Sequence, residues 1–241
     1  MSLENLLFLL LQNPINKSTM TRGKLKIIIT GATGMVGEGV LLECLDDNRV
    51  EKILVITRKP TGYEHSKLEE VIHSDFFDLS AVEENLEGYD ACFFCAGVSS
   101  LGLKKETYFR LTYTMTMAFA EAIGRQSPEA SFCYVSGAGT DSSEKGRLMW
   151  ARVKGKTEND LMKLNLDVYN FRPAFMIPRK EAKNPPKFYQ LFRGFIIILE
   201  NLFPKYICEL DLVAKAMINV ALSPVEKKLL EVRDIRELGR R

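Results

Sequence analysis

A short apolar segment followed at once by three glycines constrains this chain more than any other feature. Residues 24–30 read KLKIIIT, an apolar β-branched run of the length expected for a buried parallel strand. Gly31, Gly34 and Gly37 follow at three-residue spacing, and residues 38–46 then carry apolar side chains on one face of a predicted helix. The order of strand, glycine turn and helix predicts the first half of a βαβ unit.

Each glycine is suited to a different task in such a turn. Gly31 can adopt the backbone conformation that a side chain disfavours, Gly34 lets the backbone approach a pyrophosphate, and Gly37 lets the helix pack close to the strand. The start of the helix adds unpaired N–H groups and the positive end of its dipole. The pattern therefore predicts that a dinucleotide binds at this turn; the alternative is a glycine-rich turn without a ligand.

Length and charge narrow the class of protein. The 241 residues suit one α/β domain with a substantial core, or such a domain with a small appendage. The 33 basic and 31 acidic residues are interspersed and leave a net charge of +2, so we predict no nucleic-acid-binding surface.

The cysteines and histidines bear on compartment and metal binding. Five cysteines lie scattered, mostly within apolar runs, which indicates free buried thiols in a reducing compartment, and we predict a cytoplasmic protein. Cys92 and Cys95 have the spacing of a redox motif, but residues three apart on a strand face opposite sides. The only histidines are His65 and His73, and we predict no metal site.

The first 22 residues are predicted to be an appendage to a domain at 23–241. The apolar run at 6–11 is too short to span a bilayer. No basic residue precedes it, and Asn13 and Pro14 follow where small cleavage-site residues would be expected, so we predict no secretory signal. Residues 1–22 are interpreted as a surface extension, an artificial addition left from cloning, or an upstream start with Met20 as the true beginning.

Apolar strands and amphipathic helices alternate along the rest of the chain. Strands are predicted at 52–57, 70–73, 91–95, 131–136, 167–172 and 229–232, and helices at 106–124, 145–164 and 209–222. This alternation predicts right-handed crossovers and a doubly wound parallel sheet, which is the α/β Rossmann fold. The small C-terminal portion 174–210, apolar at 185–203, is predicted to cover a substrate cleft; plain core or a dimer surface are the alternatives.

The ends of the second and third strands bear on cofactor choice. In this fold a carboxylate after the second strand favours NAD, whereas an arginine accommodates the 2′-phosphate of NADP. Arg58 and Lys59 stand there, with no acid before Glu64, so we predict NADP, the alternative being that Arg58 is a solvated loop charge. Asp75 follows the third strand and is predicted either to contact an adenine amino group or to cap the segment that begins near Leu79.

These motifs resemble the short-chain dehydrogenase/reductase superfamily, in particular its extended-to-atypical branch of nucleoside-diphosphate-sugar epimerase relatives and Tat-interacting-protein-like oxidoreductases. Residues 30–37, TGATGMVG, match the phosphate loop of that branch, and the resemblance covers roughly residues 24–235. It implies an NAD(P)-dependent oxidoreductase. It also implies cofactor contacts from Gly31, Thr33, Gly34, Met35, Val36, Gly37, Arg58, Lys59, Asp75, Cys95, Ala96, Gly97, Lys154, Arg172 and Pro173.

The resemblance also implies a catalytic set, with one departure. Ser136 ends the fifth strand where the family has its catalytic serine, and the family's Tyr-x-x-x-Lys pair falls on Trp150 and Lys154. In family chemistry the tyrosine exchanges a proton with the substrate oxygen, the lysine lowers the pKa of that phenol and holds the ribose, and the serine steadies the oxygen. An indole N–H donates but does not titrate, so Trp150 cannot carry the proton.

Three interpretations follow from this departure. The first is an NADP-dependent reductase or epimerase-like enzyme that uses a water, Ser136 or another tyrosine; Tyr134 lies one residue pair deeper and is a poor candidate. The second is a catalytically silent NADP(H) sensor or protein-binding module, and the third is that Trp150 is plain core and the alignment is wrong by one turn. We predict the first, with a small-molecule substrate of unknown identity, a homodimer or a regulatory protein as possible partner, and no membrane span.

Overall fold

The computed structural model describes residues 23–179, 181–183 and 207–241. Within these ranges seven parallel strands form one sheet, in the order β3-β2-β1-β4-β5-β6-β9, and β7 pairs with β8 in a second, small sheet. The strands are β1 Leu25–Thr30, β2 Val50–Thr57, β3 Leu68–Ile72, β4 Ala91–Phe94, β5 Ser131–Val135, β6 Asp167–Arg172, β7 Phe175–Ile177, β8 Ile207–Glu209 and β9 Leu229–Glu231.

Helices cover both faces of the main sheet, which confirms the predicted doubly wound α/β fold. They are α1 Met35–Asp46, a 3-10 helix Ser80–Leu86, α2 Lys105–Phe109, a π-helical turn Arg110–Thr114, α3 Met115–Gln126, α4 Met149–Leu161, α5 Leu210–Leu222 and α6 Val232–Leu238. The strand order reverses between β1 and β4, which places a crevice at the carboxyl ends of these two strands.

Successive strand residues pack into two separate cores. Ile27 and Ile29 of β1 face the core that contains α1, α5 and α6, whereas Ile28 faces the core that contains α3 and the 3-10 helix. Cys92 lies in the second core and Cys95 packs against the first, so the two thiols point to opposite sides, as their spacing predicts. Because β1 is buried on both faces, its sequence is apolar without alternation.

Two predicted helix boundaries are wrong. Gly124 does not stop α3, which continues to Gln126 and ends where the Ser127 hydroxyl donates to the Leu86 carbonyl oxygen at 2.8 Å. The helix predicted to begin at residue 145 begins at Met149. The preceding residues form a turn because the Asp141 carboxylate accepts the Gly146 amide at 2.6 Å. Both boundaries are set by side chains distant in sequence or outside the helix, which helical periodicity does not report.

The described part of the predicted C-terminal cover packs beside α1. After β7, the Arg179 guanidinium lies 2.9 Å from Asp46 and 3.4 Å from Glu43 on that helix, and the Lys183 amide donates to buried Glu38 at 2.7 Å. The apolar stretch 185–203 and the appendage 1–22 lie outside the described residues. In the described ranges, no helix combines the length and apolarity needed to cross a membrane.

Candidate functional site

A cleft of about 440 Å³ lies where β1, β2, β3 and β4 end. Nine of its lining residues were predicted as cofactor contacts from the sequence: Gly31, Thr33, Gly34, Met35, Val36, Arg58, Cys95, Ala96 and Gly97. These nine residues come from three separate segments and converge on one cavity at the crevice of the sheet, which is where ligands bind in folds of this topology.

The glycine turn is shaped by close backbone contacts. Gly31 has a φ of +72°, and a Cβ added there would lie 2.6 Å from the Ala96 nitrogen. At Gly37 an added Cβ would lie 2.2 Å from the Gly31 carbonyl oxygen. Gly31 therefore excludes a side chain on conformational and steric grounds and Gly37 on steric grounds alone, as predicted from the spacing.

Gly34 differs from its two neighbours because its missing side chain faces open space. It has extended backbone torsions, and an added Cβ would have only the Gly31 carbonyl oxygen within 4 Å, at 3.4 Å. Gly34 is the N-cap of α1, and no side chain caps that helix end. The first amides of α1 are thus left directed toward the cleft, a suitable cradle for the negative charge of a diphosphate.

Arg58 lies at the end of the cleft formed by β2 and β3. It lines the cavity together with Thr57 and Ser74, and its side chain is exposed. Within the described ranges no carboxylate pairs with its guanidinium. The Thr57 hydroxyl donates to the Lys59 carbonyl oxygen at 2.8 Å and holds this turn in shape, whereas Lys59 does not line the cleft.

Sequence reasoning missed seven lining residues: Thr57, Ser74, Phe76, Phe77, Val98, Leu111 and Met115. The Arg110 guanidinium stacks over the Phe77 ring, with its Cζ atom 4.3 Å from the ring centroid. The adjacent Phe76 and Phe77 after β3 were a sequence signal that aromatic rings line this end of the cavity. No such signal existed for Leu111, because it reaches the cleft from the π-helical turn between α2 and α3.

Asp75 lies beside the cleft and not among its lining residues. Its carboxylate accepts the Phe77 amide at 2.9 Å and so fixes the backbone that carries the two phenylalanines. The N-cap of the 3-10 helix is Leu79, and the first amide of that helix, that of Ser80, donates to the Asp78 carboxylate at 3.0 Å. Asp75 was therefore wrong as a helix cap; a contact with adenine stays a prediction.

Trp150 and Lys154 lie on one face of α4, as their spacing of four predicts. Both meet the turn that follows β5. A Cβ added at Gly139 would lie 3.3 Å from the indole Cη2 atom, and one added at Gly137 would lie 3.9 Å from Lys154 Nζ. The Lys154 ammonium donates to the Ser136 carbonyl oxygen. Burial lowers the pKa of Lys154 to about 8, against a smaller opposing effect of the Glu158 charge.

A glycine in the middle of α4 allows this contact between helix and turn. A Cβ added at Gly155 would lie 1.8 Å from the Asp141 carbonyl oxygen, so the loop can cross the helix only at this residue. A lone glycine in a helix interior costs stability relative to alanine and usually has a packing reason. That was the sequence signal for a close approach, and it was not used.

Ser136 belongs to a buried polar network beneath the turn. Its hydroxyl donates to Glu158 at 2.5 Å, and the Phe171 carbonyl oxygen lies 3.1 Å away. Glu158 in turn forms a two-point ion pair with Arg172, which donates from Nε at 3.0 Å and also from Nη2. Arg172 additionally donates from Nη1 to Glu231 at 3.1 Å. The hydroxyl of Ser136 and the guanidinium of Arg172 thus interact with protein groups.

The loop after β6 packs against the turn that follows β5. The Ala138 amide donates to the Pro173 carbonyl oxygen at 2.8 Å, which joins the turn after β5 to the chain after β6. Neither Arg172 nor Pro173 lines the cleft at β1 to β4. Tyr134 is 2% exposed and lies in the core against Phe94, so its hydroxyl has no path to this turn.

Comparison with known proteins agrees with this geometry. Residues 27–145 match the NAD dependent epimerase/dehydratase family. Protein HTATIP2 of Rattus norvegicus is 26% identical over 220 residues, which cover 89% of each chain. The mitochondrial protein FMP52 of Meyerozyma guilliermondii is 24% identical over 219 residues, which cover 86% of this chain and 90% of the relative.

The fold recurs in solved structures of epimerases. UDP-N-acetylglucosamine 4-epimerase from Methanobrevibacter ruminantium superposes with a TM-score of 0.64 at 16% identity, over 90% of this chain and 81% of that one. At this identity the match concerns the fold alone. Taken with the family match over residues 27–145 and with relatives similar along almost their whole length, it confirms the predicted resemblance to the extended branch of the short-chain dehydrogenase/reductase superfamily.

Proposed function

We propose that this protein is an NADP(H)-dependent reductase of a small carbonyl compound. The observation that carries the proposal is the cleft itself, in which an uncapped helix start, the sterically required Gly31 and an exposed arginine line one cavity. The residues present fit a dinucleotide. Gly31, Thr33, Gly34, Met35 and Val36 would surround its diphosphate, and residues 95–97 would lie along its nicotinamide half.

Arg58 supports NADP over NAD. A guanidinium makes strong, charge-assisted hydrogen bonds with phosphate, and this one is exposed at the edge of the cleft where the adenosine ribose would lie. A carboxylate, which would favour the free 2′-hydroxyl of NAD, is missing from the chain between Arg58 and Glu64.

The bound cofactor would supply a hydride, and this chain has to supply the proton. Trp150 does not titrate, the Ser136 hydroxyl donates to Glu158, and Tyr134 is buried in the core. Lys154 remains, and its lowered pKa of about 8 lies close to an ordinary working pH, as general acid catalysis requires. We therefore assign proton donation to Lys154 Nζ. Trp150 is assigned the role of covering the turn at Gly139.

Cofactor choice is tested by calorimetric titration of the full chain with NADPH and with NADH. We expect tighter binding of NADPH. Arg58→Ala should weaken NADPH binding by about 10- to 100-fold, the loss of one or two charged hydrogen bonds, and should leave NADH binding unchanged. Arg233→Ala is the matched control, because it removes the same charge from an exposed site on α6. Equal affinities for the two cofactors would contradict the NADP assignment.

Turnover is tested by NADPH oxidation with a panel of aldehydes, ketones and quinones. Lys154→Met should abolish reduction, whereas Ser136→Ala should reduce it mainly through disturbance of the network around Glu158. Unchanged turnover in Lys154→Met would contradict the assignment of the proton donor.

A second candidate function is a catalytically silent NADP(H) sensor. Two observations favour it: an indole occupies the position of the family tyrosine, and the serine hydroxyl is already bonded to Glu158. Trp150→Tyr distinguishes the candidates. A large gain in NADPH oxidation from a silent protein would support the sensor, whereas a small change in an already active protein would support the reductase with Lys154 as donor.

We also propose a reducing compartment such as the cytoplasm. The structure records all five cysteines, Cys44, Cys92, Cys95, Cys133 and Cys208, as free thiols. Burial raises the pKa of Cys95 to about 12, so this thiol, although it lines the cleft, stays protonated and unreactive at neutral pH. Quantitative imaging of a tagged full chain tests the compartment.

A further inference from the structure

Large apolar side chains are exposed around the mouth of the candidate active site. Six such side chains are exposed among the described residues. Four of them follow β4, β5 or β6: Val98 (40% exposed), Leu101 (90%), Leu148 (58%) and Phe175 (40%). We call these four residues the apolar rim. The other two, Ile72 and Met162, lie elsewhere in the fold.

The sheet topology brings the apolar rim together. Strands β4, β5 and β6 are neighbours, so the loops at their carboxyl ends leave the sheet side by side. The hydrogen bond from the Ala138 amide to the Pro173 carbonyl oxygen joins two of these loops, two residues before Phe175. Arg152 of α4 donates to the Gly146 carbonyl oxygen at 2.5 Å and holds the segment that carries Leu148. Val98 itself lines the cofactor cleft, so the rim is continuous with it.

The charges of the same loops do not suit a phosphorylated substrate. Arg172 is paired with Glu158 and Glu231. Arg179 is surrounded by carboxylates, those of Glu43, Asp46, Glu181 and Asp211. Among the described residues that follow the start of β6, Arg172 and Arg179 are therefore both neutralised by acids.

Among the other cations that the structure describes in these loops, Lys183 donates to the Gly62 carbonyl oxygen, and the rest are not held in place. Lys104, Lys145 and Arg147 are exposed, and no described residue fixes their charged groups. Recognition of a diphosphate relies on preorganised donors with fixed geometry. The loops thus present apolar area that water wets poorly, and the cations fixed beside it, Arg152 and Lys154, already donate to backbone carbonyl oxygens.

We propose that the substrate is an uncharged, apolar carbonyl compound, such as a medium-chain aldehyde, whose hydrocarbon part lies on the apolar rim. This inference rests on the proposed function and names its substrate class. In the reaction, the carbonyl carbon gains a hydride from NADPH and the carbonyl oxygen gains a proton from Lys154. The products are the alcohol and NADP⁺, and Lys154 is reprotonated from solvent.

Chain length gives the first test. NADPH oxidation by the full chain is measured with butanal, hexanal, octanal and decanal, and with glyceraldehyde 3-phosphate as the phosphorylated probe. We expect kcat/KM to rise by up to about fourfold for each methylene that becomes buried. Glyceraldehyde 3-phosphate should not be turned over and should not compete with decanal.

Matched variants locate the effect on the rim. Leu148→Ser and Leu101→Ser change exposed side chains, so both variants should fold, and each should raise the KM for decanal about tenfold. Met162→Ser is the control, because it removes a similarly exposed apolar side chain at the opposite end of α4 and should change KM less than twofold. The KM for butanal should change little in all three variants.

Binding without turnover gives an independent readout. Trp150 is the only tryptophan of the chain and packs on the turn between the rim loops, so its fluorescence reports on this region. Decanamide, which is not reduced, should change the emission of the NADP⁺-loaded protein, and Leu148→Ser should weaken this response about tenfold.

The outcomes separate this inference from the proposed function. If NADPH does not bind in calorimetry, the proposed function fails and this inference fails with it. If NADPH binds but kcat/KM does not depend on chain length, or if Leu148→Ser and Met162→Ser behave alike, only the apolar substrate is overturned. Turnover of glyceraldehyde 3-phosphate, or its competition with decanal, would overturn it as well.

Discussion

Replacing Gly34 by alanine should weaken cofactor binding at least about tenfold without unfolding the protein. The backbone at Gly34 is extended (φ −102°, ψ 160°), so alanine fits without conformational strain. The added methyl group would meet only the Gly31 carbonyl oxygen, at the ordinary distance of 3.4 Å, and would otherwise project into the cleft. As an N-cap change from glycine to alanine, it should cost less than about 1 kcal/mol of unfolding free energy.

The expected effect on binding is much larger than the effect on stability. The methyl group would occupy the position from which a diphosphate approaches the first amides of α1. Loss of one or two charge-assisted hydrogen bonds costs about 1.5–3 kcal/mol each, which weakens NADPH binding by at least about tenfold. The assay is calorimetric titration with NADPH, with scanning calorimetry of the same sample as the measure of stability.

Gly37→Ala is the contrasting change at the same turn. Its methyl group would lie 2.2 Å from the Gly31 carbonyl oxygen, a backbone atom that cannot move aside cheaply. Overpacking of this kind costs about 1–3 kcal/mol, and each kcal/mol lowers the Tm of a chain of this size by about 2–4 °C. We therefore expect Gly37→Ala to lose stability and binding together. Unchanged NADPH affinity in Gly34→Ala would refute a diphosphate at this turn.

Three further predictions follow from the buried charges. Glu158→Gln should lower the unfolding free energy by about 3 kcal/mol, because Arg172 loses its buried partner. Glu231→Gln changes a half-exposed carboxylate and should lower it by less than about 1 kcal/mol. Chemical denaturation measures both changes. Burial alone would raise the pKa of Asp160, but hydrogen bonds from Lys156, Lys163 and Tyr113 outweigh it and lower the pKa. This carboxylate therefore stabilises the fold fully above about pH 4, and its contribution decreases as the pH falls further. Asp160→Asn should flatten that acid dependence, and an unaltered acid transition would contradict it. With Lys154 as the proton donor, kcat for reduction should fall about tenfold per pH unit above pH 8, as the ammonium loses its proton, and Lys154→Arg should lower kcat and abolish this alkaline limb. A pH–rate profile that is flat to pH 10 would exclude Lys154 as the donor.

The sequence predicted the parts of this protein that depend on local pattern. The apolar run of β1 and the spacing of Gly31, Gly34 and Gly37 were sufficient for the turn, because the torsions and contacts that require glycine lie within a few residues of one another. The alternation of strands and helices likewise predicted the doubly wound sheet, since short crossovers permit few topologies.

The boundaries and the lining of the cleft depended on tertiary contacts. The end of α3 is set by Ser127 and Leu86, which lie 41 residues apart. Leu111 enters the cleft because the helix after β4 forms a π-helical turn, for which the sequence carried no signal. The stretch 185–203, on which the predicted C-terminal cover depended, lies outside the described residues.

The chemistry of the site also depends partly on the sequence alone and partly on the tertiary structure. The sequence by itself determined that an indole stands four residues before Lys154, where the resemblance predicts the family phenol, because identity and helical spacing suffice for that statement. Only the tertiary structure decided that the Ser136 hydroxyl is bonded to Glu158, that Arg172 and Arg179 are neutralised by carboxylates, and that Leu101 and Leu148 stay exposed at one rim. Each of these facts depends on groups that are distant in sequence. Long-range packing, not local pattern, therefore sets the charge state of each side chain and the atoms that it can contact.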